Sequence, residues 1–468
     1  MSAIKNIPNR AMISGSANLQ AVYFLGIGGI GMSAIARYFA SRGVKVSGYD
    51  KTSTILTKQL EQEGMHIHYE DNVELIDKNA DIVVFTPAIP AAHSEFNFYR
   101  DQQYPLMKRS EVLGLITESH FNICVAGTHG KTTTSAMVAH ILRHTGYGCN
   151  AFLGGIASNY DTNFWSSEKD VCVVEADEYD RSFLQLSPDV AIITAIDADH
   201  LDIYGTEEMM QDAFVAFTEK IREDGLLIYK NGIARSSDFK VEDKMSYAAS
   251  DETADVHSKN IRIKNGTYYF DVKIVNLLIE DVALNMGGIH NIENALAAIA
   301  VAYHVGIEVS DIKAAVADFA GVKRRFEYLL KNEQLVLIDD YAHHPEELRT
   351  LINSAKELFE GRKCTVVFQP HLYSRTNDLA EGFAEVLSMA DETILLPIYP
   401  ARELPVSGVS SEMILNKMTN SNKSVQSKEA VMQYLASSGF TKENALLIFC
   451  GAGDIDTMLQ PVKELLSM

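Results

Sequence analysis

The sequence predicts an α/β protein of three domains with largely parallel sheets. Apolar runs alternate with amphipathic stretches along the chain, a pattern typical of βα units. With 468 residues the chain is too long for one comfortable hydrophobic core. Two glycine-rich turns, GIGGIGM and GTHGKTT, each follow an apolar run and precede a helical stretch. We therefore expect three successive layered domains, at residues 1–118, 119–322 and 323–468.

Composition narrows the class of protein. Apolar residues make up 47% of the chain and charged residues 22%, as in ordinary globular proteins. A formal net charge of −21 argues against a nucleic-acid surface, so phosphorylated substrates would have to be met by a few local cations. The cysteines are scattered, and the sequence shows neither a long apolar run nor a secretory signal. We therefore expect a cytoplasmic monomer or homodimer without disulfides, membrane insertion or bound nucleic acid.

The first glycine-rich turn predicts a diphosphate site in the N-terminal domain. Gly26, Gly28 and Gly31 match the spacing of the dinucleotide-binding fingerprint, directly after the apolar run Ala21–Leu25. Asp50 closes the next apolar run, at the distance where a dehydrogenase holds a ribose. The fingerprint itself reports a diphosphate bound at a helix N-terminus. A nicotinamide-dependent dehydrogenase is therefore one interpretation, although it leaves the second turn unexplained.

The second glycine-rich turn predicts a nucleotide phosphate site in the central domain. It runs from Gly127 to Thr133, after the strand-like FNICVAG and before a long helical stretch. Backbone N–H groups of such a turn, together with the helix N-terminus, bind phosphate oxygens. Lys131 would reach the terminal phosphates, and the Thr132 hydroxyl would coordinate Mg²⁺. Val125 stands where the full P-loop motif has its first glycine, so the match to that motif is partial.

Acidic residues follow the next two strand-like runs of the central domain. Glu175 ends the run VCVVE, where nucleotide-binding domains commonly hold a metal ion, and Asp177 and Glu178 are nearby alternatives. Asp199 and His200 follow the run VAIITAID and would contact metal or phosphate. Each signal also fits a solvated acidic loop or a structural histidine. Their common position after apolar strands favours a Mg²⁺ site.

Polar residues also gather after strand-like runs in the third domain. Adjacent Arg324 and Arg325 precede the run LVLIDD, from where a guanidinium would reach a nucleotide phosphate. Ligands of open parallel sheets bind at the carboxyl ends of strands, whereas the spacing of the histidines here does not predict a zinc set. The polar residues that follow LVLI and CTVVFQ are Asp339, Asp340, His343, His344, His371 and Arg375.

Nine stretches, in order, resemble the Mur ligases, the ATP-dependent amino-acid ligases of peptidoglycan precursor synthesis. They cover nearly the whole chain, and GTHGKTTT together with DDYAHHP is the most specific pair. The resemblance implies an N-terminal Rossmann-like domain that holds the UDP of a sugar nucleotide, a central P-loop-type ATPase domain and a C-terminal Rossmann-like α/β domain that delivers the amino acid. The stretches are GIGGIGMS (26–33), AGTHGKTTT (126–134), EADE (175–178), DADHLDIY (197–204), HNIENALAA (290–298), GVKRRFE (321–327), DDYAHHP (339–345), FQPHLYSRT (368–376) and GAG (451–453).

The resemblance implies ATP and Mg²⁺ as cofactors, with UDP-N-acetylmuramate and L-alanine as substrates. The residues implied to bind the UDP-sugar are Gly26, Gly28, Gly29, Ile30, Gly31, Met32, Ser33 and Asp50. Those implied to bind ATP are Gly127, Thr128, His129, Gly130, Lys131, Thr132, Thr133, His290, Asn291, Asn294, Arg325 and Asp340. The implied metal ligands are Thr132, Glu175 and His200, and the implied amino-acid contacts are Tyr341, His343, His371 and Arg375. The implied catalytic residues are Lys131, His200, Arg325 and His343, with His343 as a base for the amine.

Two positions depart from the family pattern. Leu372 stands where many members carry an arginine beside the amino-acid carboxylate, which leaves Arg375 as the expected carboxylate partner. No lysine lies between His200 and Glu219, so the carbamylated lysine of later-step ligases is not predicted. Two other activities stay open beside the dehydrogenase: a recycling ligase that adds a tripeptide to the same sugar nucleotide, and a P-loop switch that hydrolyses ATP alone. The form GIGGIGMS of the first turn favours the alanine reaction.

Overall fold

The computed structural model describes residues 19–198, 201–401, 403–437 and 444–467. By internal contacts the chain divides into two compact units. The first contains the described part of Met1–Lys259, with Val272–Ile279 and Glu293–Val316, and the second contains Asn260–Asp271, Glu280–Ile292 and the described part of Ala317–Met468. Both glycine-rich turns therefore belong to the first unit.

The N-terminal part of the first unit is a five-stranded sheet in the order β3-β2-β1-β4-β5, and all its neighbouring strands are parallel. All five residues of β1 are buried, which explains why it is a continuous apolar run. The order reverses between β1 and β4, and such a point opens a crevice at the carboxyl ends of the strands. The strands are β1 (Ala21–Leu25), β2 (Lys45–Tyr49), β3 (His66–His68), β4 (Ile82–Phe85) and β5 (Leu106–Lys108).

Three helices lie between these strands, and a fourth follows β5. The first begins after Gly29, which supplies no side-chain cap, so its first N–H groups are left for a ligand or solvent. The second begins with a capping box, in which Thr54 and Thr57 accept hydrogen bonds from each other's backbone N–H. The helices are α1 (Ile30–Ser41), α2 (Ile55–Gln62), α3 (Ser94–Asp101) and α4 (Arg109–Thr117).

The central part of the first unit is a larger, mainly parallel sheet. Eight of its strands follow the order β13-β12-β11-β10-β6-β9-β7-β8, in which the pair β7–β8 is antiparallel. The residues of β13, β14 and β15, and those of the last two helices, are divided between the two units. The strands are β6 (Phe121–Ala126), β7 (Asn150–Ala157), β8 (Thr162–Trp165), β9 (Val171–Glu175), β10 (Val190–Ile193), β11 (Leu226–Lys230), β12 (Asp243–Ala248), β13 (Val256–Lys264), β14 (Thr267–Ile274) and β15 (Leu277–Leu284). The helices are α5 (Lys131–His144), α6 (Leu201–Tyr204), α7 (Glu207–Thr218), α8 (Ile289–His304) and α9 (Val309–Asp318).

The second unit contains a six-stranded sheet in the order β16-β17-β21-β18-β19-β20, parallel except for the pair β16–β17. Its strands are β16 (Glu327–Lys331), β17 (Leu335–Asp340), β18 (Lys363–Phe368), β19 (Glu392–Leu395), β20 (Lys423–Val425) and β21 (Ala445–Cys450). Its helices are α10 (Pro345–Leu358), α11 (Tyr373–Asp378), α12 (Ala380–Leu387), α13 (Ser411–Leu415), α14 (Lys428–Ser437) and α15 (Leu459–Leu466). Within the described ranges we find no helix with the length and hydropathy needed to cross a membrane. All five cysteines are buried and unbridged.

Helix α1 packs against the β7–β8 hairpin within the first unit. The Tyr38 ring lies 5.6 Å from the Phe152 ring and 6.2 Å from the Phe164 ring, measured between centroids. The fully buried Asn163 amide donates to Ile30 O at 2.6 Å and to Ser33 Oγ at 3.0 Å, and it accepts from Arg37 Nη1. A single amide from β8 therefore holds the first turn of the helix that follows the first glycine-rich turn.

Replacing this amide tests how strongly it fixes the helix. Asn163→Ala removes the buried acceptor of Arg37 Nη1 and one of the two side-chain donors to Ile30 O, so we expect the free energy of unfolding to fall by about 1–3 kcal/mol. Urea unfolding followed through Trp165, the only tryptophan in the chain and two residues away, measures it. The exposed Asn79→Ala is the control and should change stability by less than about 0.5 kcal/mol. Equal losses in both variants would contradict a role for the Asn163 network.

Candidate nucleotide and amino-acid sites

The first glycine-rich turn is closed by backbone contacts and by Asp50. Gly26 has a φ of +87°, a conformation that glycine adopts at low cost, and its N–H donates to Tyr49 O at 2.8 Å. Asp50 Oδ2 accepts the Gly28 N–H at 2.8 Å. A hypothetical Cβ on Gly28 would lie 2.8 Å from that same oxygen. The predicted contact residue Asp50 therefore lies on the turn, and it brings a negative charge there.

The other predicted residues of the glycine-rich turn lie at the start of α1. Gly29 precedes the helix, and Ile30 and Gly31 are its first two residues. Met32 and Ser33 are buried, and the Ser33 hydroxyl donates to Ile30 O at 2.8 Å. In this structure the side chains of Met32 and Ser33 thus support the helix, and contacts of these five residues with a UDP-sugar stay a prediction.

Sequence patterns did not single out Arg109, which the structure places against the same turn. A Cβ on Gly31 would lie 2.9 Å from Arg109 Nη1 and 3.2 Å from its Cδ. The φ of Gly31 is not in the left-handed region, so a Cβ here would meet only the Arg109 side chain, which would have to shift to make room for it. Arg109 is the first residue after β5, at the carboxyl edge of the sheet. Ligands of parallel sheets bind at that edge, so this position in the sequence could have marked Arg109 as a candidate binding residue.

The second glycine-rich turn depends on two left-handed glycines. Gly127 has a φ of +134° and Gly130 a φ of +81°. A Cβ on Gly127 would overlap the Thr194 hydroxyl, and one on Gly130 would lie 2.8 Å from Asn294 Oδ1. Helix α5 begins directly afterwards, at Lys131, without a side-chain cap. The first N–H groups of α5 are therefore left without a side-chain cap, and their contact with phosphate stays a prediction.

Lys131 is held by its own turn and by a buried carboxylate. Its ammonium donates to Gly127 O at 2.6 Å and lies 2.8 Å from each carboxylate oxygen of Glu178. The Glu178 side chain is only 1% exposed, so the ion pair is shielded from solvent. The backbone carbonyl of Glu178 accepts from Tyr204 at 2.6 Å, which ties the loop after β9 to α6. Glu178 was an alternative metal ligand from sequence, and the structure pairs it with the lysine.

Thr132 and Glu175 form the part of the predicted metal site that the structure describes. The Thr132 hydroxyl donates to Glu175 Oε1 at 3.0 Å, and Glu175 Oε2 accepts from the Gly154 N–H at 3.0 Å. Burial raises the pKa of the Glu175 carboxyl, and the nearby Lys131 and Thr132 oppose that shift. A hydroxyl and a carboxylate in contact are oxygen donors of the kind Mg²⁺ prefers, so these two residues fit that ion.

The other predicted metal ligand, His200, lies outside the described residues, as does Asp199. Among the residues that the structure does describe, no three His, Cys, Asp or Glu side chains form a metal-binding group. Thr132, Glu175 and His200 therefore stay the predicted protein ligands of Mg²⁺.

The other predicted ATP contacts in the first unit surround the same turn. Thr128 Oγ1 accepts the Asp197 N–H at 3.1 Å, and the exposed ring of His129 lies 3.9 Å from the Asp197 carboxylate. Thr133 is buried in the first turn of α5. Asn294 accepts from the hydroxyl of Thr134 at 3.0 Å. His290 and Asn291 belong to the second unit, where Asn291 donates to Gly287 O at 2.7 Å.

In the second unit, Asp340 ties together the loop that carries Arg325. Its carboxylate accepts from the Phe326 N–H at 2.7 Å and from the Ala342 N–H at 2.7 Å. Burial raises the pKa of Asp340, and these hydrogen bonds oppose the shift. The Arg325 guanidinium lies 5.8 Å from the Tyr341 ring centroid. Asp340 therefore positions Arg325 and Tyr341 from two sides of one strand end.

The neighbouring Asp339 is fully buried beside Arg324. Arg324 Nε lies 3.4 Å from Asp339 Oδ2, and neither carboxylate oxygen has a hydrogen-bond partner among the described residues. Arg324 itself has a φ of +62° and donates to Gly451 O at 2.5 Å. Burial raises the pKa of Asp339 from 3.8 to about 7, and the Arg324 charge opposes the rise. Desolvation therefore outweighs the ion pair at this strand end.

The four predicted amino-acid contacts lie together in the second unit. The rings of Tyr341 and His343 are 5.2 Å apart, and Arg375 Nη1 lies 3.5 Å from His371 Nδ1. His371 stacks on Tyr399 with a centroid separation of 5.8 Å. Burial lowers the pKa of both histidines, and the Arg375 charge acts in the same direction on both. These four residues therefore lie close together, and their contact with an amino acid stays a prediction.

The ring geometry of His343 leaves one nitrogen available. His343 Nδ1 lies 2.9 Å from Tyr341 O, which accepts a hydrogen bond and so requires Nδ1 to carry the proton. The Glu347 carboxylate, 3.4 Å from the same nitrogen, supports that tautomer. Because burial lowers the pKa of His343, its neutral form persists to lower pH than usual, with Nε2 free to accept a proton.

Three family models match consecutive parts of the chain. "Mur ligase family, catalytic domain" matches residues 21–121, "Mur ligase middle domain" matches residues 125–302 and "Mur ligase, glutamate ligase domain" matches residues 324–453. A UDP-N-acetylmuramate–L-alanine ligase of Parabacteroides distasonis is 50% identical over 95% of this chain and 97% of that protein. The chain belongs to the Mur ligase family.

Other relatives agree with this assignment. A UDP-N-acetylmuramate–L-alanine ligase of Flavobacterium johnsoniae is 46% identical over 96% of this Mur ligase and 98% of that protein. The crystal structure of a UDP-N-acetylmuramate–alanine ligase from Thermotoga maritima matches with a TM-score of 0.81 at 30% identity, over 96% of this chain and 99% of that one. The predicted family and the predicted three-domain α/β fold are confirmed.

The raised pKa of Asp339 predicts that the stability of this Mur ligase depends on pH. A pKa of about 7 in the fold, against an ordinary 3.8, means that the folded state holds an extra proton between those values. The contribution of Asp339 to stability is thus complete at low pH and is lost as pH rises through about 7. We expect wild type to lose stability relative to Asp339→Asn as pH rises from about 5 to 8, by at most about 1.4 kcal/mol per pH unit.

Urea unfolding of both proteins at several pH values measures this difference. The control is Asp378→Asn, an exposed position in the same unit, whose stability should follow wild type at every pH. A difference between wild type and Asp339→Asn that stays constant with pH would show that Asp339 ionises in the fold as it does in water.

Proposed function

We propose that this protein joins L-alanine to the lactyl carboxylate of UDP-N-acetylmuramate and converts ATP to ADP and phosphate. The observation that carries the proposal is the Gly127–Gly130 turn with Lys131, Thr132 and Glu175, in a chain whose curated relatives carry the name of that ligase. We assign UDP-sugar binding to residues 1–118, ATP binding to residues 119–322 and amino-acid binding to residues 323–468.

The reaction needs ATP because a carboxylate is a poor electrophile. A carboxylate oxygen of the sugar attacks the γ-phosphorus, the bond to ADP breaks, and an acyl phosphate forms. The alanine nitrogen then attacks the acyl carbon, loses a proton, and expels inorganic phosphate. Phosphoryl transfer depends mainly on positioning and charge neutralisation, so we assign that work to Lys131 and Arg325.

The side chains of this protein have separate roles in the proposal. Backbone N–H groups after Gly127 and the Lys131 ammonium bind phosphate oxygens, and the anion competes with Glu178 for that lysine. Thr132 and Glu175 would hold Mg²⁺, which when bound supplies positive charge to the phosphates. Arg375 binds the alanine carboxylate.

His343 accepts the proton of the alanine amine in this proposal. An ammonium has no lone pair, so the amine must lose a proton before or during its attack on the acyl phosphate. His343 Nε2 suits that task because Nδ1 is engaged with Tyr341 O and burial lowers the pKa of the ring. His371 Nδ1 lies 3.5 Å from Arg375 Nη1, so we place His371 beside the alanine carboxylate.

Phosphate release tests the proposed reaction. With ATP, Mg²⁺ and UDP-N-acetylmuramate present, we expect release only when L-alanine is added, and UDP-N-acetylmuramoyl-L-alanine as the product by mass. Lys131→Ala should abolish release because it removes the phosphate-binding ammonium. Release with tripeptide but not alanine would favour the recycling ligase. Release without either substrate would favour an ATPase switch, and hydride transfer from a nicotinamide cofactor would favour a dehydrogenase.

The role of His343 makes a separate kinetic prediction. His343→Ala should lower kcat by about 10²- to 10⁴-fold at neutral pH with a smaller change in the KM for ATP. Because the pKa of His343 is lowered, the acid limb of the wild-type kcat profile should fall below the usual range for histidine, and the variant should lack that limb. His344→Asn keeps the N-cap of α10 and is the control. A variant with unchanged kcat across the profile would remove His343 from the base role.

A further inference from the structure

We propose that Arg109 binds the diphosphate of the sugar nucleotide, and that Asp177 holds its guanidinium when that anion is absent. The inference rests on the proposed function, because it assumes that a sugar nucleotide binds at the first glycine-rich turn. It adds a binding residue and a competing carboxylate to that site.

The first observation that supports this proposal is the position of Arg109. Its guanidinium packs against Gly31, the second residue of α1, where helix N–H groups are left without intrahelical partners. The N-terminus of a helix attracts anions, and a guanidinium beside it adds full positive charge and paired donors. Lys108 and Glu111 fix the start of α4, because Glu111 Oε2 accepts the Lys108 N–H at 2.8 Å. Arg109 therefore projects from an ordered helix start.

The second observation is the negative charge around the first glycine-rich turn. The Asp50 carboxylate accepts a hydrogen bond from the Gly28 N–H, so a negative side chain lies on the turn. A diphosphate adds further negative charge, and the chain as a whole has a net charge of −21. An anion at this turn needs a nearby cation, and Arg109 supplies one whose nitrogen comes within contact distance of the Gly31 position.

The third observation is the partner of Arg109. Arg109 Nη2 donates to Asp177 Oδ2 at 3.2 Å, with the two side chains 21% and 39% exposed. A half-exposed pair of this kind is weak enough for an anionic ligand to displace. Lys108 repeats the pattern, pairing with Asp180 at 3.0 Å in the same loop.

That loop also reaches the second glycine-rich turn. Asp177 is followed directly by Glu178, which binds Lys131. A ligand that draws Arg109 away from Asp177 therefore changes the charge next to the residue that holds the phosphate-binding lysine. The two anion sites of the first unit share the loop after β9.

Binding measurements on the full-length protein without ATP test the inference. The variants are Arg109→Ala, Arg109→Lys and Asp177→Asn, and the control is Arg100→Ala, an exposed arginine of α3 paired with the adjacent Asp101. The ligands are UDP and UDP-N-acetylmuramate, titrated by calorimetry, with ADP as a probe of the second turn. Urea unfolding checks that each variant is folded.

We expect Arg109→Ala to raise the Kd of both UDP and UDP-N-acetylmuramate by about 10- to 100-fold, and Arg109→Lys to raise it less. The Kd of ADP should change by less than about twofold, and Arg100→Ala should resemble wild type. Asp177→Asn should lower the Kd of UDP by up to about fivefold, because it releases the guanidinium. If Arg109→Ala does not fold, Arg109→Lys and Asp177→Asn still test these expectations.

Three outcomes overturn the inference. The first is an unchanged Kd of UDP in Arg109→Ala, and the second is weaker UDP binding in Asp177→Asn, which would make the pair a structural link. The third is a loss confined to UDP-N-acetylmuramate, which would place Arg109 on the lactyl carboxylate. Failure of wild type to bind either ligand would instead contradict the proposed function.

Discussion

Both glycine-rich sites depend on the parallel strands, because these strands determine where the helices begin. A strand buried on both faces is joined to its parallel neighbour by a crossover, commonly a helix that begins near the carboxyl edge of the sheet. Helices α1 and α5 begin there after Gly29 and Gly130 without side-chain caps, so their first N–H groups are available to an anion. The glycine turns and the charged side chains around them are arranged about these two helix starts.

Paired carboxylates explain how a strongly acidic chain can bind anionic ligands. Two cations at the glycine-rich turns are held by carboxylates in the structure: Lys131 by Glu178 and Arg109 by Asp177. Such pairing keeps a buried or half-buried cation from being left uncompensated. An incoming phosphate then exchanges one anionic partner for another, so the site needs few cations and the rest of the surface can remain acidic.

The end of β17 uses two adjacent carboxylates in different ways. Side chains alternate along a strand, so Asp339 and Asp340 point to opposite faces. Burial raises the pKa of both carboxyls. Asp340 accepts from two backbone N–H groups, which oppose that rise and order the loop of Arg325, whereas neither oxygen of Asp339 has a hydrogen-bond partner among the described residues.

The sequence by itself determined the α/β class, the two glycine turns, the family and the positions of Tyr341, His343, His371 and Arg375 after strand-like runs. These features are local: apolar periodicity and turn glycines are set by residues within one or two elements. Only the tertiary structure decided that Glu178 pairs with Lys131, that the Arg109 side chain lies against Gly31 and that Asn163 holds the first turn of α1. Those contacts join residues 47 or more positions apart, and no local pattern encodes which distant side chains a fold brings together.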